Sequence, residues 1–123
     1  MNTKICSTKN FKKGDFVWFC NIEFTPFGRC KNIVKPITVK VRDVQKNQVA
    51  FEINKWRINE LYFIDSDEIE TISNCDIPTS LGLHVAFSRE ESEAKFNNLI
   101  KLGIETIYNN FKYFESRALN MLI

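Results

Sequence analysis

The strand that organises this chain lies in residues 11–20, which read FKKGDFVWFC. Gly14 permits a tight turn, and the Asp15 carboxylate can cap that turn. Five consecutive β-favouring or apolar residues follow, from Phe16 to Cys20. Because successive side chains of a strand point to opposite faces, this strand is apolar on both faces. Such a strand is usually covered on both sides, as in a small closed barrel.

The segments that follow predict further strands. Residues 37–42 and 49–53 alternate apolar and polar side chains on either side of a polar loop at residues 45–48, which is typical of a hairpin. Pro36 is expected at a strand start or at a sheet edge, because it cannot donate to a ladder. Shorter strands are predicted at residues 61–64, 69–72 and 83–87.

The pattern becomes helical after Phe87. Ser88 and Glu91 have the spacing of a capping box, which marks a helix start. Gly103 interrupts the helical pattern, so we expect either one long helix or a helix broken at that residue. Beyond it, apolar side chains recur every three or four positions and form one stripe. The stripe consists of Ile104, Ile107, Tyr108, Phe111, Phe114, Ala118 and Leu122.

Two short stretches resemble known small domains. The opening Phe11-x-x-Gly14-Asp15-x-Val17-Trp18 resembles that of SH3-like barrels of the KOW and Tudor-like kind, which implies binding of nucleic acid or of protein segments. Residues 83–94 are similar to the strand and capped helix that end many small phage and mobile-element proteins. The frequent use of Lys, Asn, Ile and Phe fits such an origin.

Together these patterns predict an α+β fold in a single domain spanning residues 1–123. A β unit over residues 11–87 is expected as a small antiparallel SH3-like barrel or a curled sheet, followed by a long C-terminal helical segment over residues 88–123. We expect the apolar stripe to pack on the open face of this sheet. If the helix outruns the sheet, its far end should pair with a second copy or with another partner.

The net charge of +2 conceals an uneven distribution. Residues 1–58 contain 12 Lys and Arg and 4 Asp and Glu, a net charge of +8, whereas residues 59–123 contain 5 and 11, a net charge of −6. This polarity argues against a disordered polyelectrolyte and against a uniformly basic coat for nucleic acid. The sequence also lacks a signal peptide and an apolar run long enough to cross a membrane, so a cytoplasmic protein without a membrane partner is expected.

Candidate catalytic and metal-binding groups are few. His84 is the only histidine, and its alternation with apolar neighbours predicts that it points outward. The four cysteines contain no Cys-x-x-Cys pair and are expected to be reduced thiols, some of them buried. Residues 65–70 hold four carboxylates, but Glu70 stands where a calcium loop requires glycine, which indicates a solvated acidic turn. The sequence therefore predicts no enzyme, no cofactor and no metal site.

The basic half carries two places where aromatic and basic residues alternate, residues 24–31, with Phe27 near the tip of a turn, and residues 55–57. Aromatic platforms flanked by cations are typical of single-stranded nucleic-acid binding. We therefore expect a non-catalytic protein whose basic β half binds nucleic acid. The expected contacts are Lys12, Lys13, Phe27, Arg29, Lys31, Lys55, Trp56 and Arg57.

A protein-binding module or inhibitor is the alternative. The acidic segment 60–76 can imitate nucleic acid and occupy the basic groove of a host protein. The apolar C-terminal helix can add to that contact or join two copies in a homodimer. The expected partner contacts in the acidic segment are Asp65, Asp67, Glu68 and Glu70.

Overall fold

The computed structural model describes residues 6–25, 27–55, 58–75 and 82–122. A 3-10 turn at Thr8–Asn10 precedes the first strand. The elements that follow, in chain order, are β1 (Phe16–Phe24), β2 (Cys30–Val44), β3 (Gln48–Lys55), β4 (Ile58–Asp65), α1 (Ser66–Ser73), β5 (Gly82–Ala86) and α2 (Arg89–Asn120).

The five strands form one antiparallel sheet in the order β4-β3-β2-β1-β5, which in the described residues is not closed into a barrel. The predicted α+β arrangement, an antiparallel sheet followed by a long helix, is confirmed. The predicted hairpin is formed by β2 and β3. β2 is long because it serves two neighbours: its first part pairs with β1, and Lys40–Val44 pair with β3.

From Val17 to Phe24, β1 is covered on both faces, as its apolar sequence predicts, and Phe16 at its start is exposed. On one face Val17 and Phe19 belong to a buried cluster with Phe11 and with Ile69 of α1. On the other face Ile22 and Phe24 pack against α2. The sheet therefore lies between the N-terminal turn with α1 on one side and α2 on the other.

α2 begins where the capping box predicts, because the Ser88 hydroxyl accepts a hydrogen bond from the Glu91 backbone N–H at 3.2 Å. The helix continues through Gly103 without a break, so the broken form of the prediction is wrong. Gly103 is buried against the ring of Phe24. A residue without a side chain is needed at this position for the close packing of helix and strand, which explains the interruption of the apolar pattern.

The segment predicted as a strand at residues 69–72 is part of α1, and the acidic turn before it is the start of that helix. The Asp65 carboxylate caps α1 by accepting a hydrogen bond from the Asp67 N–H at 2.8 Å. Acidic residues in the first turn stabilise the positive end of the helix dipole. Ile69 enters the core from one face of this helix. Ile69 and Ile72 are three positions apart, which is a helical spacing and places the two residues on opposite faces of a strand.

Pro36 lies inside β2 rather than at a strand start. Between the pairs Phe19–Ile37 and Asn21–Val34, β2 has two residues, Lys35 and Pro36, against one residue of β1, so the bulge includes this proline. A bulge tolerates a residue that cannot donate to the ladder. Pairing with β3 begins only at Lys40, so at Pro36 the strand β2 has β1 as its neighbour on one side and is not paired with β3 on the other. The expected edge position of Pro36 is therefore present at this point of β2, although β2 is a central strand of the sheet.

Candidate functional site

α2 covers only part of the sheet face on which it packs. The helix starts beside Trp18, where the Arg89 guanidinium lies 5.7 Å from the centre of the indole ring. It then runs in the same direction as β1, with Leu99 against Ile22 and Gly103 against Phe24. The sheet face on the N-terminal side of Trp18 therefore lies beyond the start of the helix.

Phe16 occupies this uncovered part of the sheet. It is two residues before Trp18, so both side chains are on the same face of β1. Its side chain is 67% exposed, whereas Trp18 is half-buried beside α2. The apolar pattern of β1 predicts that Phe16 is covered, because the sequence does not indicate where α2 begins to cover β1.

Basic side chains flank Phe16 across the sheet. Lys40 of β2 is the direct cross-strand partner of Phe16, and Glu52 of β3 is the next member of the same row. Directly opposed side chains lie about 4.5–5.5 Å apart at Cβ. Arg42, two residues along β2 from Lys40, is exposed and forms an ion pair with Glu52 at 4.0 Å.

Two predicted contacts, Lys12 and Lys13, lie in the turn that leads into this row. The turn is fixed by Gly14, which has φ of 95° and donates its N–H to the carbonyl of Val41 at 2.8 Å. Both lysine side chains are exposed. We call this surface the sheet platform, and it consists of Lys12, Lys13, Phe16, Lys40 and Arg42.

Phe27 and Arg29 lie in a different place. They belong to the turn between β1 and β2, closed by hydrogen bonds from the Gly28 N–H to the Thr25 carbonyl at 3.0 Å and from the Arg29 N–H to the Thr25 hydroxyl at 2.8 Å. The eight residues of β1 from Val17 to Phe24 separate this turn from Phe16 of the sheet platform, a distance of about 26 Å for an extended strand. The predicted contacts therefore do not form one continuous surface.

The four remaining predicted contacts are Lys31, Lys55, Trp56 and Arg57. The backbones of Lys31 and Lys55 lie in β2 and β3. Trp56 and Arg57 lie outside the described residues.

The four predicted acidic contacts serve two different purposes. Asp65 caps α1, and the Glu70 carboxylate accepts hydrogen bonds from the Thr8 N–H at 2.7 Å and from the Thr8 hydroxyl at 2.8 Å. Asp67 and Glu68 are exposed on the first turn of α1. Half of this acidic set therefore stabilises the chain's own structure.

The Glu70 contact makes stability depend on pH. Hydrogen bonds from Thr8 hold the pKa of Glu70 below its ordinary value of 4.5. Because the pKa is lower in the folded than in the unfolded state, the contact stabilises the fold above about pH 4.5 and loses its effect as the pH falls through the lowered pKa.

We expect Glu70→Gln to lower the melting temperature at neutral pH and to differ progressively less from the wild type as the solution is acidified below the ordinary glutamate pKa. Thermal unfolding followed by circular dichroism across this range measures the difference. Glu105→Gln, at an exposed position in the interior of α2, is the control and should leave the melting temperature close to that of the wild type throughout. An equal loss for Glu70→Gln at neutral and at acidic pH would contradict the assignment.

His84 is buried, so the prediction that it points outward is wrong. Its side chain is only 2% exposed and stands opposite Cys20 in the β1–β5 register. The alternation failed because β5 is covered on one face by α1 and on the other by α2. Burial raises the pKa of Cys20 to about 11, so this thiol is protonated at neutral pH. Both side chains are shielded from solvent.

Cys6, Cys20 and Cys75 are free thiols, and the first two are buried. Within the part of the chain that the structure describes, no three His, Cys, Asp or Glu side chains are grouped so that they could hold a metal ion. The described helices include none that is both long and apolar enough to cross a membrane. In comparisons with protein-family models, with curated proteins and with solved structures, no match to this chain is found.

Proposed function

We propose that this chain is a cytoplasmic, non-catalytic binding protein that holds single-stranded nucleic acid on the sheet platform. The observation that carries this proposal is Phe16, a large aromatic side chain two-thirds exposed on the sheet face beyond the start of α2, with Lys40 directly opposite. An exposed phenylalanine next to cations is suited to stacking with a base while the phosphates are neutralised beside it.

The charges of the platform set its expected salt dependence. Lys12, Lys13, Lys40 and Arg42 supply the cations, and Glu52 offsets part of the charge of Arg42. For a single strand, the logarithm of the binding constant falls with the logarithm of salt concentration by about 0.7 for each phosphate neutralised. Four contacts therefore predict a slope of about −3.

The platform favours single strands over duplexes. An aromatic ring on a sheet can stack only on a base that has left its own stack, which is the case in single strands and loops. Measurement of fluorescence anisotropy with a labelled short oligothymidine, and with a duplex of equal length, compares the two. We expect tighter binding of the single strand, with the salt dependence given above.

Replacement of Phe16 tests the site itself. Stacking is worth about 1–3 kcal/mol per base, so Phe16→Ala should weaken binding of the oligothymidine by about 5- to 150-fold. Tyr113→Ala is the matched control, because Tyr113 is 65% exposed but lies on α2 away from the platform. Lys40→Glu should weaken binding and reduce the salt slope, whereas Lys101→Glu, an equal change of charge on α2, should not. Equal effects of Phe16→Ala and Tyr113→Ala, or no binding at low salt, would contradict the proposal.

The alternative, a protein partner held by the acidic segment, has less support from the geometry. Asp65 and Glu70 accept hydrogen bonds from the chain's own backbone, and the two other members of the predicted set, Asp67 and Glu68, are exposed. Two exposed carboxylates on one helical turn give a partner little to recognise, since exposed ion pairs contribute only about 0–1 kcal/mol each.

A further inference from the structure

The second half of α2 extends beyond the sheet. Ile107 is the last residue of the helix that packs against the Ile22, Phe24 and Leu99 cluster. The helix continues through the thirteen residues from Tyr108 to Asn120, about 20 Å at 1.5 Å per residue. The expectation that the apolar stripe packs on the sheet is therefore wrong for this part, which is exposed to solvent.

A subset of apolar residues on this side of α2 has the spacing of a coiled-coil seam. Six residues from Ile104 to Met121 are separated alternately by three and four positions, as in the a and d positions of a heptad, and Tyr108 and Leu122 of the predicted stripe lie beside them. None of these six positions carries a charge. We call this subset the α2 seam, and it consists of Ile104, Ile107, Phe111, Phe114, Ala118 and Met121.

An apolar groove lies at the start of the seam. It has a volume of about 750 Å³ and is lined by Phe27 and Gly28 of the turn and by α2 residues from Ile104 to Phe114. Phe27 is 73% exposed, so this groove is open to solvent. Phe27, which is predicted from the sequence to contact nucleic acid, thus lines one side of an apolar groove.

We propose that the chain forms an antiparallel homodimer in which the α2 seams of two copies pack together. Antiparallel alignment about the middle of the seam pairs Ile104 with Met121 of the second copy, Ile107 with Ala118, and Phe111 with Phe114. A seam that is its own complement in this way gives a closed, isologous two-fold contact. The groove beside Phe27 then receives the C-terminal end of the second copy's α2.

The exposed apolar area agrees with what a dimer needs. The exposed side chains of the seam, together with Phe27, Tyr108 and Leu122, present on the order of 900 Å² when a large apolar side chain contributes about 150–250 Å² in full. A standard interface buries about 800 Å² on each partner. The largest apolar patch of an ordinary monomer is about 300–600 Å², so this surface is larger than a lone chain usually leaves open.

The antiparallel direction also keeps the two sheets apart. Each sheet lies at the N-terminal part of its own α2, so antiparallel helices carry the sheets to opposite ends of the dimer. A parallel pair would place both sheets side by side. It would also place Ile104 opposite Ile104 of the second copy. The seam is thus accessible to a second copy without rearrangement of the fold.

Analytical ultracentrifugation of the full chain over a range of concentrations tests the dimer. We expect the mass to rise with concentration from the chain mass of 14.4 kDa to twice that value. Phe111→Glu should lower the association constant at least 100-fold, and Tyr113→Glu, at an exposed position outside the seam, should leave it unchanged. Because Phe111 and Tyr113 are both exposed, circular dichroism should show both variants folded.

A charge pair tests the direction of the helices. Ile104→Lys alone should weaken the dimer, and the double variant Ile104→Lys with Met121→Glu should restore it, because the two new charges meet only in the antiparallel arrangement. A wild-type mass of 14.4 kDa at all concentrations would overturn the proposal. So would equal effects of Phe111→Glu and Tyr113→Glu, or a double variant that associates no better than Ile104→Lys.

Discussion

Leu99→Ala is expected to lower the free energy of unfolding by about 2–5 kcal/mol. Leu99 is fully buried at the centre of the contact between α2 and β1, where it packs with Ile22 and Phe24. Removal of its side chain loses the transfer energy of the buried carbons and leaves a cavity between helix and sheet. This loss is a large fraction of the total free energy of unfolding, which is only about 5–15 kcal/mol for a domain of this size.

Leu119→Ala provides the control on the same helix. Leu119 is 57% exposed and lies outside the α2 seam, so its replacement should change the free energy of unfolding by no more than about 0.5 kcal/mol. Denaturant unfolding of both variants at low protein concentration, where the monomer predominates, measures the two values. Equal losses for the two variants would show that α2 does not pack on β1 as described.

Gly103→Ala is expected to destabilise the protein even though alanine is the better helix former. A Cβ at this position would lie 2.8 Å from Cζ and 2.9 Å from Cε1 of the buried Phe24 ring. Overpacking of this kind costs about 1–3 kcal/mol, whereas the change from glycine to alanine inside a helix gains at most about 1 kcal/mol. We expect the packing cost to be the larger of the two.

A double-mutant cycle isolates this contact. In a Phe24→Leu background the ring is absent, so Gly103→Ala should become neutral or stabilising, by up to about 1 kcal/mol. The reversal of sign between the two backgrounds is the expected result, measured as the free energy of unfolding of all four proteins. A change of the same size in both backgrounds would contradict the close contact between helix and strand.

Local patterns in the sequence predicted the elements whose signals were unambiguous. The alternation on either side of residues 45–48 predicted the β2–β3 hairpin, and the Ser88–Glu91 capping box predicted the start of α2. α1 was missed because a helix of eight residues contains too few apolar positions to show a period, although the spacing of Ile69 and Ile72 favours a helix. Asp65 was the available signal, since an aspartate followed by an acidic first turn is typical of a helix start.

The two candidate surfaces, the sheet platform and the α2 seam, depend on where α2 begins and ends relative to the sheet. The sequence did not indicate that α2 starts beside Trp18, which leaves Phe16 open, or that it outruns the sheet after Ile107. The outward prediction for His84 failed for the same reason, because coverage of both faces of β5 comes from α1 and α2. Lys12 and Lys13, predicted as nucleic-acid contacts, are exposed, and Phe27 of the same predicted set belongs to the apolar groove.

Nuclear magnetic resonance tests directly whether single-stranded nucleic acid binds on the sheet platform. A short oligothymidine is titrated into the isotopically labelled full chain, and the backbone amide shifts are followed. We expect the largest, saturable changes in residues 12–18 and 38–42, with a reduction of these changes as salt is added. Changes confined to the turn at residues 27–29, or no change with excess oligothymidine at low salt, would contradict it.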